Sequence, residues 1–275
     1  MTISREQMLH EMGLSPQWKL RDNPAVSRAA PASMAEASPA APPTEARAAP
    51  APMPSAEPAS VRGIPGTEAP AQLDGPDWKT LQQNVENCRA CTLCAARQRV
   101  VLGVGDPGAD WLFVGEAPGL EEDACGEPFV GPAGKLLDAM LAAIDLKRGD
   151  GVYLTNAVKC HPADNRTPET AELQACAPYL RQQIALLQPR LIVLLGRAAV
   201  HALLGAEGLL GSLRGQTFEY RNGEQTIPVI ATYHPAYLLR TLPDKAKAWE
   251  DLCRARALMR EIKAAGLENA ANGAI

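Results

Sequence analysis

No stretch of 18 or more apolar residues occurs in the 275-residue chain, so no segment has the composition of a membrane-spanning helix. The first residues also lack a charged start followed by an apolar run, which argues against a secretory leader and sets the expectation of a cytoplasmic, membrane-free protein. Net positive charge is missing: the formal balance is −4, so any grip on nucleic acid has to come from a local basic surface. Arg240, Lys245, Lys247, Arg254, Arg256 and Arg260 form one candidate. Large apolar side chains are almost absent from residues 31–60, where 11 Ala and 8 Pro leave too little burial to offset the entropy of ordering. Residues 22–76 therefore read as an Ala/Pro-rich linker. Residues 1–21, with Met8, Met12, Leu14, Trp18 and Leu20, read as a short amphipathic segment that docks on a protein partner or folds back on the main domain. A folded domain is expected over 77–266 and a tail over 267–275.

Two catalytic signatures are missing as well. No Ser or thiol nucleophile accompanies His234 in a recognisable elbow, and GPAGK at 131–135 has the wrong spacing for a phosphate-binding loop. What the folded part has instead is a repeated pattern of apolar run followed by a polar loop. Trp111–Val114 breaks at Gly115-Glu116-Ala117-Pro118-Gly119, and the loop beyond carries Glu121, Glu122, Asp123 and Phe129. Val152–Val158 runs into Lys159-Cys160-His161-Pro162, and Ile227–Ala231 delivers Tyr233 and His234. Leu191–Leu195 is a further buried strand, and Thr217–Tyr220 with the Asn222-Gly223 turn reads as half of a hairpin.

Between these runs lie helical stripes, starting at Gly131-Pro132, at Thr167-Pro168 and after Leu239, and an earlier one over 72–99. Strands alternating with helices predict an α/β fold, a three-layer α/β/α arrangement around a central, mostly parallel four-stranded sheet. Ligands of such sheets bind beyond the carboxyl ends of the strands, which brings Glu116, Phe129, Asn156 and His234 toward one pocket. An amide beside an aromatic ring is how a flipped nucleobase is held, by hydrogen bonds to its edge and stacking on its face.

Seven cysteines, odd in number and unevenly clustered, suit a reducing compartment with a metal or cluster site better than a disulfide framework. Cys88, Cys91 and Cys94 make two successive C-x2-C steps, and a site of four needs partners from farther along. Spacing alone leaves zinc and iron-sulfur both open.

The motifs NCRAC (87–91), GEAPG (115–119), GEPFVGPAGKLL (126–137), TNAVKCHPADNR (155–166) and HPAYLLR (234–240) stand in an order that resembles the family 4 uracil-DNA glycosylases, the iron-sulfur, thermostable type. The resemblance covers about residues 80–262. It implies a monofunctional DNA repair enzyme that everts uracil from single- or double-stranded DNA and hydrolyses its glycosidic bond. It places a [4Fe-4S] cluster on Cys88, Cys91, Cys160 and Cys176, with Cys94, Cys125 and Cys253 as free thiols and zinc as the alternative metal. It also implies that Phe129 stacks on the base, Asn156 reads its amide edge, and His234 donates to the departing oxygen. Glu116 positions water or stabilises the sugar. Ala117 stands where other uracil glycosylases carry an aspartate, and Gly119 where they carry a tyrosine, so Glu122 is expected to exclude the thymine methyl. Tyr237 and Arg240 are expected on the DNA backbone, with Leu238 or Leu239 as the wedge. A non-catalytic DNA-binding module and a broader mismatch glycosylase are the competing readings.

Overall fold

The computed structural model describes residues 77–223 and 225–272. The amphipathic segment and the linker expected over 1–76 lie outside the described residues. Three five-residue strands, β2 (Trp111–Gly115), β3 (Val152–Asn156) and β4 (Leu191–Leu195), are buried at every position. Burial of both faces is what parallel strands in the middle of a sheet require, and continuous apolar runs supply it. With β6 (Gln225–Thr232) they form the parallel core, in the order β3-β2-β4-β6.

The sheet has six strands, two more than the four expected, and is mixed because an antiparallel strand closes each edge. One is β5 (Thr217–Asn222), the hairpin partner of β6. The other, β1 (Val104–Gly105), pairs with β3 although its segment reads as a Gly-rich turn. The glycines are what allow the pairing: a Cβ on Gly105 would run into the main chain of Val152 and lie 2.8 Å from Tyr153 Cα. A sequence rule that looks for side chains misses a strand that needs their absence.

Alternate residues of each strand feed opposite cores. Phe113, Leu154 and Val193 pack with α3 (Pro132–Ala142) and α8 (Lys245–Asn272) on one face. Leu112, Val114, Ile192 and Leu194 pack with α4 (Thr170–Leu187) and α5 (Arg197–Leu204) on the other. The three-layer arrangement is as expected. A third apolar cluster joins α1 (Trp78–Glu86), the cysteine-bearing loop after it and α4.

Several boundaries differ from the sequence reading. Over 77–99, the described part of the helix expected at 72–99, the α-helix is α1 alone, capped by the Asp77 carboxylate, which accepts the Thr80 N–H at 2.9 Å. Cys88, Cys91 and Cys94 sit beyond its end, on a loop and a short 3₁₀ turn over Thr92–Ala95. α4 starts three residues after Thr167, because Glu169 is the cap and its N–H donates to the Glu172 carboxylate at 2.8 Å. α8 continues through Gly266 to Asn272, past the boundary expected at 266. No helix among the described residues is long and apolar enough to cross a membrane.

Between β2 and α3 lies α2 (Leu120–Cys125). Its Asp123 is 1% exposed and accepts the N–H groups of Gln98 (2.9 Å) and Arg99 (3.3 Å). The acidic run 121–123 is thus not a solvated turn throughout. Asp123 ties the segment leaving the cysteine loop to the wall of the central loop, and hydrogen bonds to a charged group contribute about 1.5–3 kcal/mol each.

Candidate active site

Gly115 ends β2 and pairs in register with Asn156, the last residue of β3. A Cβ on Gly115 would collide with Asn156 Oδ1 and lie 2.5 Å from the Phe129 ring. The glycine therefore leaves room for an amide and an aromatic ring to meet at the strand ends. Asn156 is 2% exposed, and its Oδ1 has no hydrogen-bond partner among the described residues. A buried acceptor left unmatched costs about 1–3 kcal/mol, so its presence calls for a ligand that donates to it.

Phe129 reaches this point on a backbone with φ 59°, unusual for a bulky residue. The Arg148 guanidinium holds that turn by donating to the carbonyls of Pro128 (2.9 Å) and Phe129 (2.8 Å), and it is itself paired with Asp138 at 2.9 Å. Nothing in the sequence pattern marks Arg148 for this role. The clamp becomes visible only when the loop is folded.

His234 follows β6 and caps α7 (Pro235–Arg240). Its ring lies 5.8 Å from that of Phe129, at 29°. Nδ1 accepts the Ala236 N–H at 3.2 Å, so the proton of the neutral ring is on Nε2, which makes that nitrogen a donor. Burial, assisted by the like charge of Arg240, pushes the imidazole down to about 4, so it is neutral at physiological pH.

Glu116 sits at the mouth of β2, half-buried. Desolvation raises its carboxyl above the ordinary glutamate value, opposed by a hydrogen bond from Thr167 and the charge of Arg197. Ala117 packs against the apolar cluster on the α1 side. Glu122 turns back to accept the Gly119 N–H at 2.6 Å, which places its carboxylate in the space that a side chain at 119 would take. Phe129, Asn156 and His234 are thus brought together directly. Glu116 follows the end of β2 and Glu122 folds back onto Gly119 in the loop after it, each held by partners of its own.

The C-terminal candidates separate. Leu238 is 1% exposed and belongs to the core, so the expectation that it reaches DNA is corrected: α7 turns that face onto the sheet. Leu239 is 42% exposed, and Arg240 is exposed beside it. The Tyr237 hydroxyl donates to Asp244 at 2.6 Å, and its ring stacks on Tyr233 at 4.9 Å. The basic surface expected at the C-terminus is divided: Lys245 is buried and Lys247 and Arg256 pair with Asp244 and Asp145, while Arg240, Arg254 and Arg260 are exposed.

On the far side of β3, Cys88, Cys91, Cys94, Cys160 and Cys176 line one small pocket with Arg97, Lys159 and Tyr179. The donor set is all sulfur; Arg97 donates to Cys160 Sγ at 3.1 Å and the Ala90 N–H to Cys88 Sγ at 3.5 Å. Among the described residues no three His, Cys, Asp or Glu side chains are gathered tightly enough for a single ion. Burial pushes the Cys176 thiol up to about 12, so a metal has to displace its proton. Lys159, fully buried, extends from this pocket to the end of β3: Nζ donates to Thr155 Oγ1 (2.7 Å) and to the Asn156 carbonyl (2.6 Å). Its amine is pushed down to about 8 by desolvation. In the sequence Lys159 is a lone cation between an apolar run and a cysteine, which marks a polar loop but not the burial of its amine.

A family model described as the Uracil DNA glycosylase superfamily matches residues 102–253. The type-4 uracil-DNA glycosylase of Pyrobaculum aerophilum is 41% identical over 180 residues, covering 64% of this chain and 91% of that protein. The type-4 enzyme of Archaeoglobus fulgidus is 43% identical over 161 residues (57% and 80%), and that of Thermotoga maritima 38% over 184 (66% and 94%). The match takes in β2, β3, β4 and β6 with the loops that carry Phe129, Asn156 and His234, and on these grounds the chain belongs to the type-4 family of the uracil-DNA glycosylase superfamily.

Proposed function

We propose that this protein everts uracil from DNA and hydrolyses its N-glycosidic bond, leaving an abasic site for repair. The observation that carries the reading is the unpartnered, buried Oδ1 of Asn156 beside the Phe129 ring and a neutral His234 donor. Uracil offers a ring N–H and an adjacent carbonyl oxygen on one edge, the complement of a carboxamide. Stacking on Phe129 holds the face, and His234 Nε2–H meets the oxygen that gains charge as the bond breaks. Charge stabilisation is the main requirement, because the sugar leaves as an oxocarbenium-like cation and the base as an anion. Glu116, kept near the strand ends by Thr167, positions water or steadies that cation. Incubation of the full chain with a uracil-containing oligonucleotide, followed by alkali, gives strand cleavage; an uncut strand identifies a binder without activity.

Glu122 excludes the thymine methyl in this reading, its carboxylate standing where a bulkier residue at 119 would. Glu122→Ala raises thymine release from T·G relative to uracil release from U·G by about tenfold, the scale on which one methyl is discriminated. An unchanged ratio removes Glu122 from specificity. Leu239 is the wedge that fills the gap left by the everted base, being exposed where Leu238 is not. Leu239→Ala lowers activity on duplex about tenfold or more and spares single strands, where no stack has to be held open. Equal losses on both substrates assign Leu239 to packing.

The pocket, whose five thiols are its metal-binding donors, fits a [4Fe-4S] cluster on Cys88, Cys91, Cys160 and Cys176, with guanidinium and amide donors to the sulfurs. The cluster supplies a cross-link between the cysteine loop, the Cys160 loop and α4. Cys94 lines the same pocket as a fifth thiol. A brown preparation whose broad visible absorbance is lost in Cys176→Ala and kept in Cys94→Ser supports the assignment, and a colourless one that contains zinc overturns it.

A further inference from the structure

Among the described residues there is a second cleft, of about 620 Å³, between α1 and the strap formed by residues 97–103. Its walls carry Arg89, Arg97 and Arg99 with Gln82 and Gln98, against one carboxylate, Glu86. Arg97 is committed: it donates to Cys160 Sγ and to the carbonyls of Glu86 (2.6 Å) and Cys88 (3.2 Å). Arg89 and Arg99 are exposed, and each spends one guanidinium N–H on a loop carbonyl, of Cys88 at 3.0 Å and of Cys125 at 3.3 Å. Neither pairs with a carboxylate among the described residues, whereas Lys247 and Arg256 on α8 do. A guanidinium has five donors, so at each of these two cleft-lining residues most of the fork is left for a further acceptor.

The cleft also reaches toward the base pocket. Gly126 lines it, and the Arg99 side chain passes 3.6 Å from where a Cβ of Gly126 would stand. Gly126 is three residues from Phe129, so the two Cα atoms are at most about 11 Å apart. One strand carries a phosphate about every 3.4 Å of duplex axis, so that span corresponds to roughly three nucleotides.

We propose that the cleft lined by Arg89 and Arg99 is a binding site for DNA backbone phosphates on one side of the everted uracil, within about three nucleotides of it. This rests on the glycosylase reading and gives a chain of net negative charge its local hold on a polyanion. Arginine suits the task because its planar fork meets phosphate oxygens in pairs. Side-chain amides of Gln82 and Gln98 add neutral donors. The contacts carry no sequence information, in keeping with an enzyme that has to find uracil in any context.

The test uses the full-length, cluster-loaded chain and its Arg89→Gln/Arg99→Gln variant, with kcat/KM for uracil release measured between 50 and 200 mM salt. Visible absorbance and circular dichroism verify that both proteins are equally loaded and folded. Each phosphate contact removed flattens the slope of log(kcat/KM) against log salt by about 1, so the double variant flattens it by about 2. The wild-type advantage then shrinks about 16-fold across that fourfold range of salt, while kcat at saturating DNA stays the same. Arg89→Lys/Arg99→Lys restores the slope. Trimming the oligonucleotide to two nucleotides on one flank of the uracil weakens the wild type and leaves the double variant indifferent. Identical slopes for wild type and double variant overturn the proposal and leave the glycosylase reading intact; an acidic protein segment would then be the cleft's occupant. No uracil release by the wild type itself overturns the reading beneath it.

Discussion

Asn156→Ala lowers kcat/KM for uracil about 10³-fold and removes the preference for uracil over cytosine. The amide stands buried at the end of β3, and its main-chain oxygen is pinned by Lys159 Nζ at 2.6 Å. The backbone that carries the side chain is therefore held by the strand and by the lysine below it. Without the amide, the ring N–H and adjacent oxygen of uracil both enter the pocket unpaired. At about 2 kcal/mol for each buried, unsatisfied group the loss is about 4 kcal/mol, which is three orders of magnitude in rate. Cytosine, which presents an acceptor and an amino group on the same edge, is mispaired against Asn156 but only unpaired against Ala. Its discrimination therefore collapses while uracil activity falls. Initial rates on single-stranded U and C oligonucleotides measure both quantities. A variant that keeps more than a tenth of its activity, or still rejects cytosine as before, moves base reading to another residue.

How far the sequence carried this reading depends on what kind of residue did the work. Trp111–Val114 and Leu191–Leu195 were legible because double-sided burial demands an unbroken apolar run. β1 was not, because Gly103 and Gly105 contribute by having no side chains, and that reads as a turn. The convergence of Phe129, Asn156 and His234 followed from topology alone, since parallel strands send their C-terminal loops to one edge. Buried charge was the part that stayed hidden. Lys159 reaches back only to Thr155 and Asn156, but Arg97, Arg148 and Asp123 satisfy main-chain or sulfur groups from segments far away in sequence, and no local pattern announces such partners. The choice between Leu238 and Leu239 was also beyond sequence, since adjacent leucines on a six-residue helix differ only by the direction in which that helix lies on the sheet.

His234→Ala lowers kcat about 10² to 10³-fold with little change in KM, the loss expected for one preorganised donor aimed at developing charge. The imidazole is set for that task by two contacts. The Ala236 N–H occupies Nδ1 and leaves the proton on Nε2, and burial beside Arg240 holds the ring neutral down to about pH 4. Protonation of Nδ1 would set two hydrogens face to face and break the cap of α7, so the contribution of His234 requires the neutral form and is lost only as pH falls toward 4. Glu116 titrates earlier. Desolvation raises its carboxyl, so in a falling pH scan the carboxylate near the sugar is discharged before His234 gains a proton, and the acid limb of the wild type belongs to Glu116. Removing that group with Glu116→Gln leaves a slower enzyme whose acid limb moves down toward 4, where the imidazole titrates. Single-turnover rates from pH 8 to 4 on the wild type and Glu116→Gln decide the matter. In either protein, activity that falls as pH rises through about 6.5, the ordinary histidine value, would mean that His234 works as a charged acid, and the neutral-donor account would fail.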